Sequence, residues 1–493
     1  MSKSTRVFLV LLFATTLAAG AEPEKKRNVV LFVLDDWGRD AGCFGNKVIR
    51  TPNIDALAAD GTVFTHAFCT TASCSPSRSV ILSGLHNHAN GQYSLAHSVH
   101  AGRAFSTVRS LPVLLAAGGW RTARIGKFHV APEEVFHFET VLKGNQGGGR
   151  NAVSMAEQCR GFIGAKDERP FFLYFCTDDP HRSADTAAGA LPGVNAFGNA
   201  APHTGVDEVK YDAKDVVVPP FLPDSPESRA ELAQYYQAVS RVDQGLGRLM
   251  AILREAGRLD DTLIILTSDN GIPFPGAKTG LYEDGMRLPL IVRAPGQRHR
   301  GGECHAMISW VDFTPTILDF CGVSVPDAPP VRGVADEGAP GPRAKPQKYT
   351  FHGRSWAGLW EQENPAGWDA VLASHTEHEI TMYYPMRALR TRRYKLIYNL
   401  AHPLPYPFAS DLWESATWQA ARASGDSHYG RRLTADFLQR PKYELYDLEN
   451  DPDEIHNLAD DPAHAAVLAE MSAKVKVFQE KTGDPWVVKY THE

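Results

Sequence analysis

A chain of 493 residues holds two or three domains' worth of material. Hydrophobic residues make up 43% of it and charged residues 22%, which excludes a disordered or fibrous chain and allows a large core without disulfide staples. The net charge of −6 argues against a dedicated nucleic-acid binder, which needs a basic stripe to displace phosphate counterions.

Residues 1–21 have the parts of an export signal: Lys3 and Arg6 at the start, an apolar run from Val7 to Leu17, and the small-residue pattern Ala19-Gly20-Ala21. That run is too short to span a bilayer, and no later stretch is long and apolar enough, so an exported protein without a membrane span is expected. Asn28 to Leu34 (NVVLFVL) reads as a buried parallel strand ending in Asp35-Asp36. Pro52 to Ala59 reads as a short helix closed near Gly61. Just after Cys74, Ser75 suits an N-cap and Pro76 the first position of another helix. Thr122 to Ile125 is a short strand running into Gly126-Lys127-Phe128-His129. Pro170 to Cys176 is a buried strand running into Asp178-Asp179-Pro180-His181. Ala230 to Ala256 has helical periodicity with Gly257 as a stop, and Thr262 to Thr267 is a strand running into Asp269-Asn270-Gly271.

Strands alternating with helices indicate an α/β domain: a large, mixed, mostly parallel sheet flanked by helices. Ligands bind beyond the carboxyl ends of such strands, so the four polar strand ends are expected to converge on one edge. Residues 324–348, rich in Pro, Gly and Ala, read as a long loop. After about Pro385, Met386 to Leu400 and Tyr443 to Leu448 look like antiparallel strands, and Pro462 to Lys481 looks like a terminal helix. The expected organisation is a signal peptide over 1–21, a main domain over 22–384, and a smaller C-terminal domain over 385–493 with an antiparallel sheet and a terminal helix.

Seven cysteines are scattered without a C-x-x-C pair, which argues against zinc. Asp35, Asp36, Asp269 and Asn270 offer only oxygen ligands, a set suited to a hard cation, Ca²⁺ or Mg²⁺; the alternative is loop-capping Asp and Asn after strands. Cys74 lies just before a helix N-terminus, where backbone N–H groups favour anions. Arg78, one turn in, adds a cation suited to oxyanions.

The run Cys74-Ser75-Pro76-Ser77-Arg78, followed by Leu82-Ser83-Gly84, resembles the signature of the type I sulfatases. Supporting matches are Val33-Leu34-Asp35-Asp36, Thr51-Pro52-Asn53-Ile54-Asp55, Gly126-Lys127, Asp179-Pro180-His181 and Ser268-Asp269-Asn270-Gly271. The resemblance implies the alkaline-phosphatase-like sulfatase fold, with 22–384 as catalytic domain. It also implies Cys74 oxidised to formylglycine by the formylglycine-generating enzyme, and one divalent cation held by Asp35, Asp36, Asp269, Asn270 and the modified Cys74. Arg78, Lys127 and Lys278 would stabilise sulfuryl oxygens, His181 would protonate the leaving atom, and His129 would assist expulsion of sulfate.

Within the sulfatases the chain is similar to the sulfamidase (heparan N-sulfatase) branch, through Gly126-Lys127-Phe128-His129-Val130, Thr267 to Pro275, Val311 to Asp319, His378 to Thr381, Tyr384-Pro385-Met386-Arg387 and Asp484-Pro485-Trp486. Lys278 departs from that branch, which has Arg there. The branch implies hydrolysis of the N-linked sulfate of terminal N-sulfoglucosamine in heparan-type glycans, with Asp179, Glu379 and Arg387 as sugar contacts. An ion pair between Glu379 and Arg387 is the structural alternative. His86, His88, His97 and His100 lack a metal-ligand spacing and read as a polar pocket rim in which His88 contacts sugar. Tyr406 to Trp418 reads as buried aromatic packing ahead of a glycan platform. An O-sulfatase on another glycan, a phosphate or phosphonate ester hydrolase, and an inactive glycan binder are the competing readings. No Asn begins an N-x-Ser/Thr sequon, which favours a bacterial periplasmic or secreted enzyme over a lysosomal one; a homodimer is compatible with the sequence.

Overall fold

The computed structural model describes residues 27–143, 148–183, 196–328 and 348–488. The expected signal peptide, and most of the loop expected over 324–348, lie outside these.

The main sheet has nine strands: β1 (Asn28–Leu34), β2 (Thr62–Phe68), β3 (Arg121–Gly126), β4 (Thr140–Val141), β5 (Phe171–Cys176), β6 (Thr262–Ser268), β7 (Arg287–Leu288), β8 (Leu290–Arg293) and β9 (Gly302–Ser309). Their order is β4-β3-β5-β1-β6-β8-β2-β7, with β9 on β2. Strands β4, β3, β5, β1 and β6 run parallel. β8 is antiparallel to both β6 and β2, and β9 returns parallel to β2.

β1 shows why its sequence is apolar throughout. Val29, Leu31 and Val33 point into one core with α2 (Cys74–Ser83), α3 (Leu111–Ala117) and α6 (Phe313–Phe320), through Val80, Leu111, Leu115 and Ile317. Val30, Phe32 and Leu34 point into the opposite core with α1 (Pro52–Ala59), α4 (Ala152–Ile163) and α5 (Pro226–Glu255), through Leu57, Met155, Tyr235 and Val239. A strand buried on both faces has no polar side, so period-2 alternation is absent.

The smaller sheet is antiparallel: β10 (Ala370–Glu377), β11 (Tyr383–Thr391), β12 (Tyr394–Asn399) and β13 (Tyr443–Asp447), in that order. Its first strand thus precedes the boundary expected at 384/385, which falls inside β11. Ser374, His375, Thr376 and Glu377 break the apolar run of β10, hiding it from a pattern reading. One face of this sheet (Ala373, Met386, Ala388) joins the core of the main sheet. The other face (Leu389, Leu396, Leu445) receives Met471 and Val475 of α7 (Ala465–Lys481). No helix among the described residues is long and apolar enough to cross a membrane.

Candidate active site

β3, β5, β1 and β6 are neighbours and parallel, so their carboxyl ends fall side by side. That edge brings together Lys127, His181, Asp35, Asp36, Asp269 and Asn270 as expected, and α2 delivers Cys74 and Arg78 to it. A cavity of about 520 Å³ opens there, lined by Asp35, Cys74, Lys127, His129, His181 and Arg150 among others. Gly126, with a φ of 76°, is needed at the end of β3: a Cβ would collide with the Cys176 carbonyl.

Helix α2 starts at Cys74 with Ser73 as N-cap residue, two residues earlier than the sequence suggests. Ser75 is inside the helix and its Oγ accepts from the Ala96 N–H (2.9 Å). Cys74 Sγ lies 3.6 Å from Asp36 Oδ1. Burial, with Asp35 and Asp36 nearby, pushes its thiol well above the ordinary value. A thiol so held is a poor nucleophile.

Arg78 is wholly buried and donates from Nε to Asp269 Oδ2 (2.8 Å) and from Nη1 to the Lys127 carbonyl (3.1 Å), with Nη2 3.4 Å from Asp35 Oδ1. Lys127 pairs with Asp35. Lys278 donates to Asp36 Oδ2 (2.9 Å), Asp411 Oδ2 (2.7 Å) and His181 Nε2 (3.1 Å). His181 donates Nδ1–H to the Arg182 carbonyl (2.6 Å), which leaves Nε2 as the acceptor. Burial and Lys278 hold this imidazole below its ordinary value. His129, at φ 55°, places Nε2 2.5 Å from His97 Nδ1, and its own Nδ1 is buried without a partner. Burial and the nearby Lys127 keep it neutral.

The acidic cluster is frustrated. Ligand oxygens of Asp35, Asp36 and Asp269 lie within 4.8 Å of one another, all buried. Burial would raise Asp35, but Lys127, His181 and Arg78 hold it well below the carboxylate range, whereas burial drives Asp269 upward despite Arg78. Three carboxylates this close cannot all stay ionised without further positive charge. Asp36 adopts a left-handed φ of 61°, uncommon for a residue with a side chain. Asn270 donates Nδ2–H to Asp36 Oδ1 (2.7 Å), and its Oδ1 is buried with no partner. Oxygen donors of this kind, one of them orphaned, fit a hard divalent cation.

Four expected sugar contacts are placed otherwise. His88 is fully buried, with Nδ1 2.7 Å from Ser374 Oγ and Nε2 2.8 Å from Thr482 Oγ1; it packs between β10 and α7, not on a rim. Asp179 accepts from Arg150 Nη1 and Arg241 Nε, both at 2.6 Å, so both its oxygens are committed to holding the β5 loop. Arg387 is buried against Asp484, at 2.5 and 2.8 Å, and away from solvent. Glu379 pairs with neither Arg387 nor a free edge: it accepts from the Ser410 N–H (3.1 Å) and Oγ–H (2.6 Å). Arg387 and Asp179 are buried charges, which need partners, and they found them inside the chain.

Of the expected rim, His97 lines the cavity; Arg150, Asp178 and His378, whose Nδ1 lies 2.8 Å from Ser73 Oγ, line it too and were not singled out from the sequence as site residues. Asp411, the second anion on Lys278, sits in an aromatic-rich segment with no motif around it. That segment does pack as expected: Phe408 lies 4.4 Å from buried Trp418, although Trp413 is 42% exposed. None of the seven cysteines forms a disulfide.

The sulfatase family model matches residues 27–323, and the chain belongs to the sulfatase family, with its alkaline-phosphatase-like fold. It is 39% identical to human N-sulphoglucosamine sulphohydrolase, covering 96% of this chain and 94% of that protein. It is 26% identical to the N-acetylglucosamine-6-O-sulfatase of Bacteroides thetaiotaomicron, covering 92% and 93%. Two solved structures share the fold. One, a protein in complex with its substrate D-glucosamine-2-N,6-O-disulfate, has a TM-score of 0.65 at 21% identity, covering 94% of this chain and 99% of that one. The phosphonate monoester hydrolase of Agrobacterium radiobacter has a TM-score of 0.62 at 20% identity, covering 93% and 96%.

Proposed function

We propose that the protein is an exported sulfatase that hydrolyses the N-linked sulfate of terminal N-sulfoglucosamine in heparan-type glycans. The observation that carries the hydrolase reading is the ring of Arg78, Lys127 and Lys278 around the Cys74 side chain at the acidic strand edge. The 39% identity over nearly the whole chain to the human N-sulphoglucosamine sulphohydrolase supports the choice of substrate.

In this reading Cys74 is converted to formylglycine, whose hydrated form supplies one hydroxyl to attack sulfur and a second to expel sulfate. Asp35, Asp36, Asp269 and Asn270 hold a divalent cation, Ca²⁺ ahead of Mg²⁺, which supplies Lewis acidity toward the nucleophile and the sulfuryl oxygens. Lys127 and Lys278 meet the sulfuryl oxygens, and Arg78 fixes Asp269 and Asp35 beside them. His181 is the acid for the leaving nitrogen once bound sulfate draws Lys278 off Nε2 and that atom takes up a proton from solvent; an unprotonated amide is a poor leaving group. His129, neutral and with Nδ1 unpaired, takes up the proton released when sulfate departs. The leader sequence places the enzyme in a periplasm or outside the cell.

The test is sulfate release from N-sulfoglucosamine, O-sulfated glucosamines, an aryl sulfate and a phosphonate ester, using protein co-expressed with the maturation enzyme. Release from N-sulfoglucosamine with a free amine as co-product is expected, together with a mass deficit of about 18 Da on the peptide containing residue 74. Preference for an O-sulfated sugar or the phosphonate ester would overturn the substrate assignment.

A further inference from the structure

Two carboxylates reach from one part of the chain to another, and they are satisfied differently. Glu231 of α5 accepts from Arg182 Nη1 (2.5 Å) and Nη2 (3.1 Å), from the Ala416 and Thr417 N–H groups (each 3.1 Å) and from Thr417 Oγ (2.6 Å). Both of its oxygens are used, as expected of a structural anchor. Asp411, in the short helix Ser410–Trp413, gives Oδ2 to Lys278 and leaves Oδ1 buried with no partner. An anchor does not need a half-used carboxylate.

Lys278 explains what Asp411 does. An ammonium has three N–H donors, and here they point at Asp36, Asp411 and His181. A bound sulfate oxygen must take one of these directions. Asp36 belongs to the proposed cation ligands, so a cation draws its negative charge away from Lys278. Asp411 then remains as the anion that fixes the ammonium. Asp411 is itself fixed: Glu379 accepts from both the N–H and the Oγ–H of the preceding Ser410. Asp411 lies beyond the 27–323 family match, so the C-terminal part of the chain completes the site.

We propose that Asp411 is a positioning residue for Lys278, holding its ammonium so that one N–H turns to a bound sulfate oxygen while Asp36 serves the cation, with Glu379 fixing Asp411 in turn. This rests on the assignment of Lys278 as a sulfate contact.

The experiment measures inorganic sulfate binding by calorimetry to Ca²⁺-loaded Cys74→Ala protein, which binds without turning over. Into that background go Asp411→Ala, Lys278→Ala and both together, with cation content checked by elemental analysis. Asp411→Ala and Lys278→Ala are each expected to weaken binding by about tenfold to a hundredfold, the range for a hydrogen bond to a charged group, and the double variant to be no weaker than Lys278→Ala. If Lys278→Ala leaves sulfate binding unchanged, the sulfate-contact assignment falls. If Lys278→Ala weakens binding but Asp411→Ala does not, or if Asp411→Ala costs as much without Lys278 as with it, the positioning role falls. Should Asp411→Ala not fold, Asp411→Asn, which keeps shape and an acceptor while removing the charge, carries the same comparison.

Discussion

The active-site edge and the seat of the terminal helix both bury several charges, yet they are built on opposite terms. At the seat, Arg387 donates twice to Asp484 and from Nη1 to the His375 and Met386 carbonyls, each at 2.8 Å. Asp484 also accepts from Gln479 Nε2 and the Trp486 N–H, both at 3.0 Å. At the edge, three carboxylates crowd together, and Asn270 Oδ1, His129 Nδ1 and Asp411 Oδ1 have no partner. A buried group left unpaired costs free energy, so the chain tolerates it where a ligand completes it. The ion pair at the seat is closed within the chain, whereas the edge leaves polar atoms beside the cavity that a ligand can complete.

The sharpest break of that contrast is at Cys74. Cys74→Ala should lower sulfate release by more than about 10⁴-fold, while thermal unfolding stays close to that of the parent. Sulfate release comparable with wild type would show that another group attacks sulfur. Asp269→Asn should cost at least about a hundredfold in turnover and lower the bound cation measured by elemental analysis. Chelation of the parent should have the same effect, reversed by Ca²⁺ or Mg²⁺.

At the seat the pattern should invert. Arg387→Ala leaves Asp484 buried without its cation and should cost about 3–5 kcal/mol of stability in urea denaturation. The kcat of the protein that remains folded should be nearly unchanged. A large fall in kcat with unchanged stability would return Arg387 to the substrate.

Acid should act at the seat too. The His86 and His352 rings lie 5.6 Å apart beside the helix, with Phe478 4.7 Å from His86. Burial, with His88 and His352 adding to it, lowers His86 well below its ordinary value; burial lowers His352 to about 4. Both are therefore neutral when folded and take up protons more readily when unfolded. Their contribution is complete above the unfolded value of about 6.5 and falls below it by about 1.4 kcal/mol per pH unit for each ring, until the folded value is passed. Urea denaturation between pH 7 and 5 measures the slope, and His352→Gln should flatten it; an unchanged slope would place the acid sensitivity elsewhere.

The smallest effect is expected at His88. His88→Gln should cost about 1 kcal/mol for its exchanged hydrogen bonds. It should leave the ratio of kcat/KM between N-sulfoglucosamine and an aryl sulfate where it was. A selective loss on the sugar would restore the rim reading.

What the sequence determined by itself is the part of the molecule that repeats a local rule. β1 and α1 can be bounded from their own residues, because a doubly buried strand is apolar throughout and a helix carries its punctuation. The acidic ends of β1 and β6 and the run from Cys74 to Arg78 are local as well, so the residues proposed as nucleophile and cation ligands can be picked out there. The tertiary structure decided the partners. Glu379, Arg387, Asp179 and His88 are polar residues whose roles depend on which distant group satisfies them: Ser410, Asp484, Arg150 with Arg241, and Ser374 with Thr482. Asp411 has no motif at all, and only the packing of the C-terminal segment against the sheet edge brings it 2.7 Å from Lys278. A side chain's type is written in the sequence, but the satisfaction of its hydrogen bonds is settled by residues from about thirty to several hundred positions away, and that settlement decides its role.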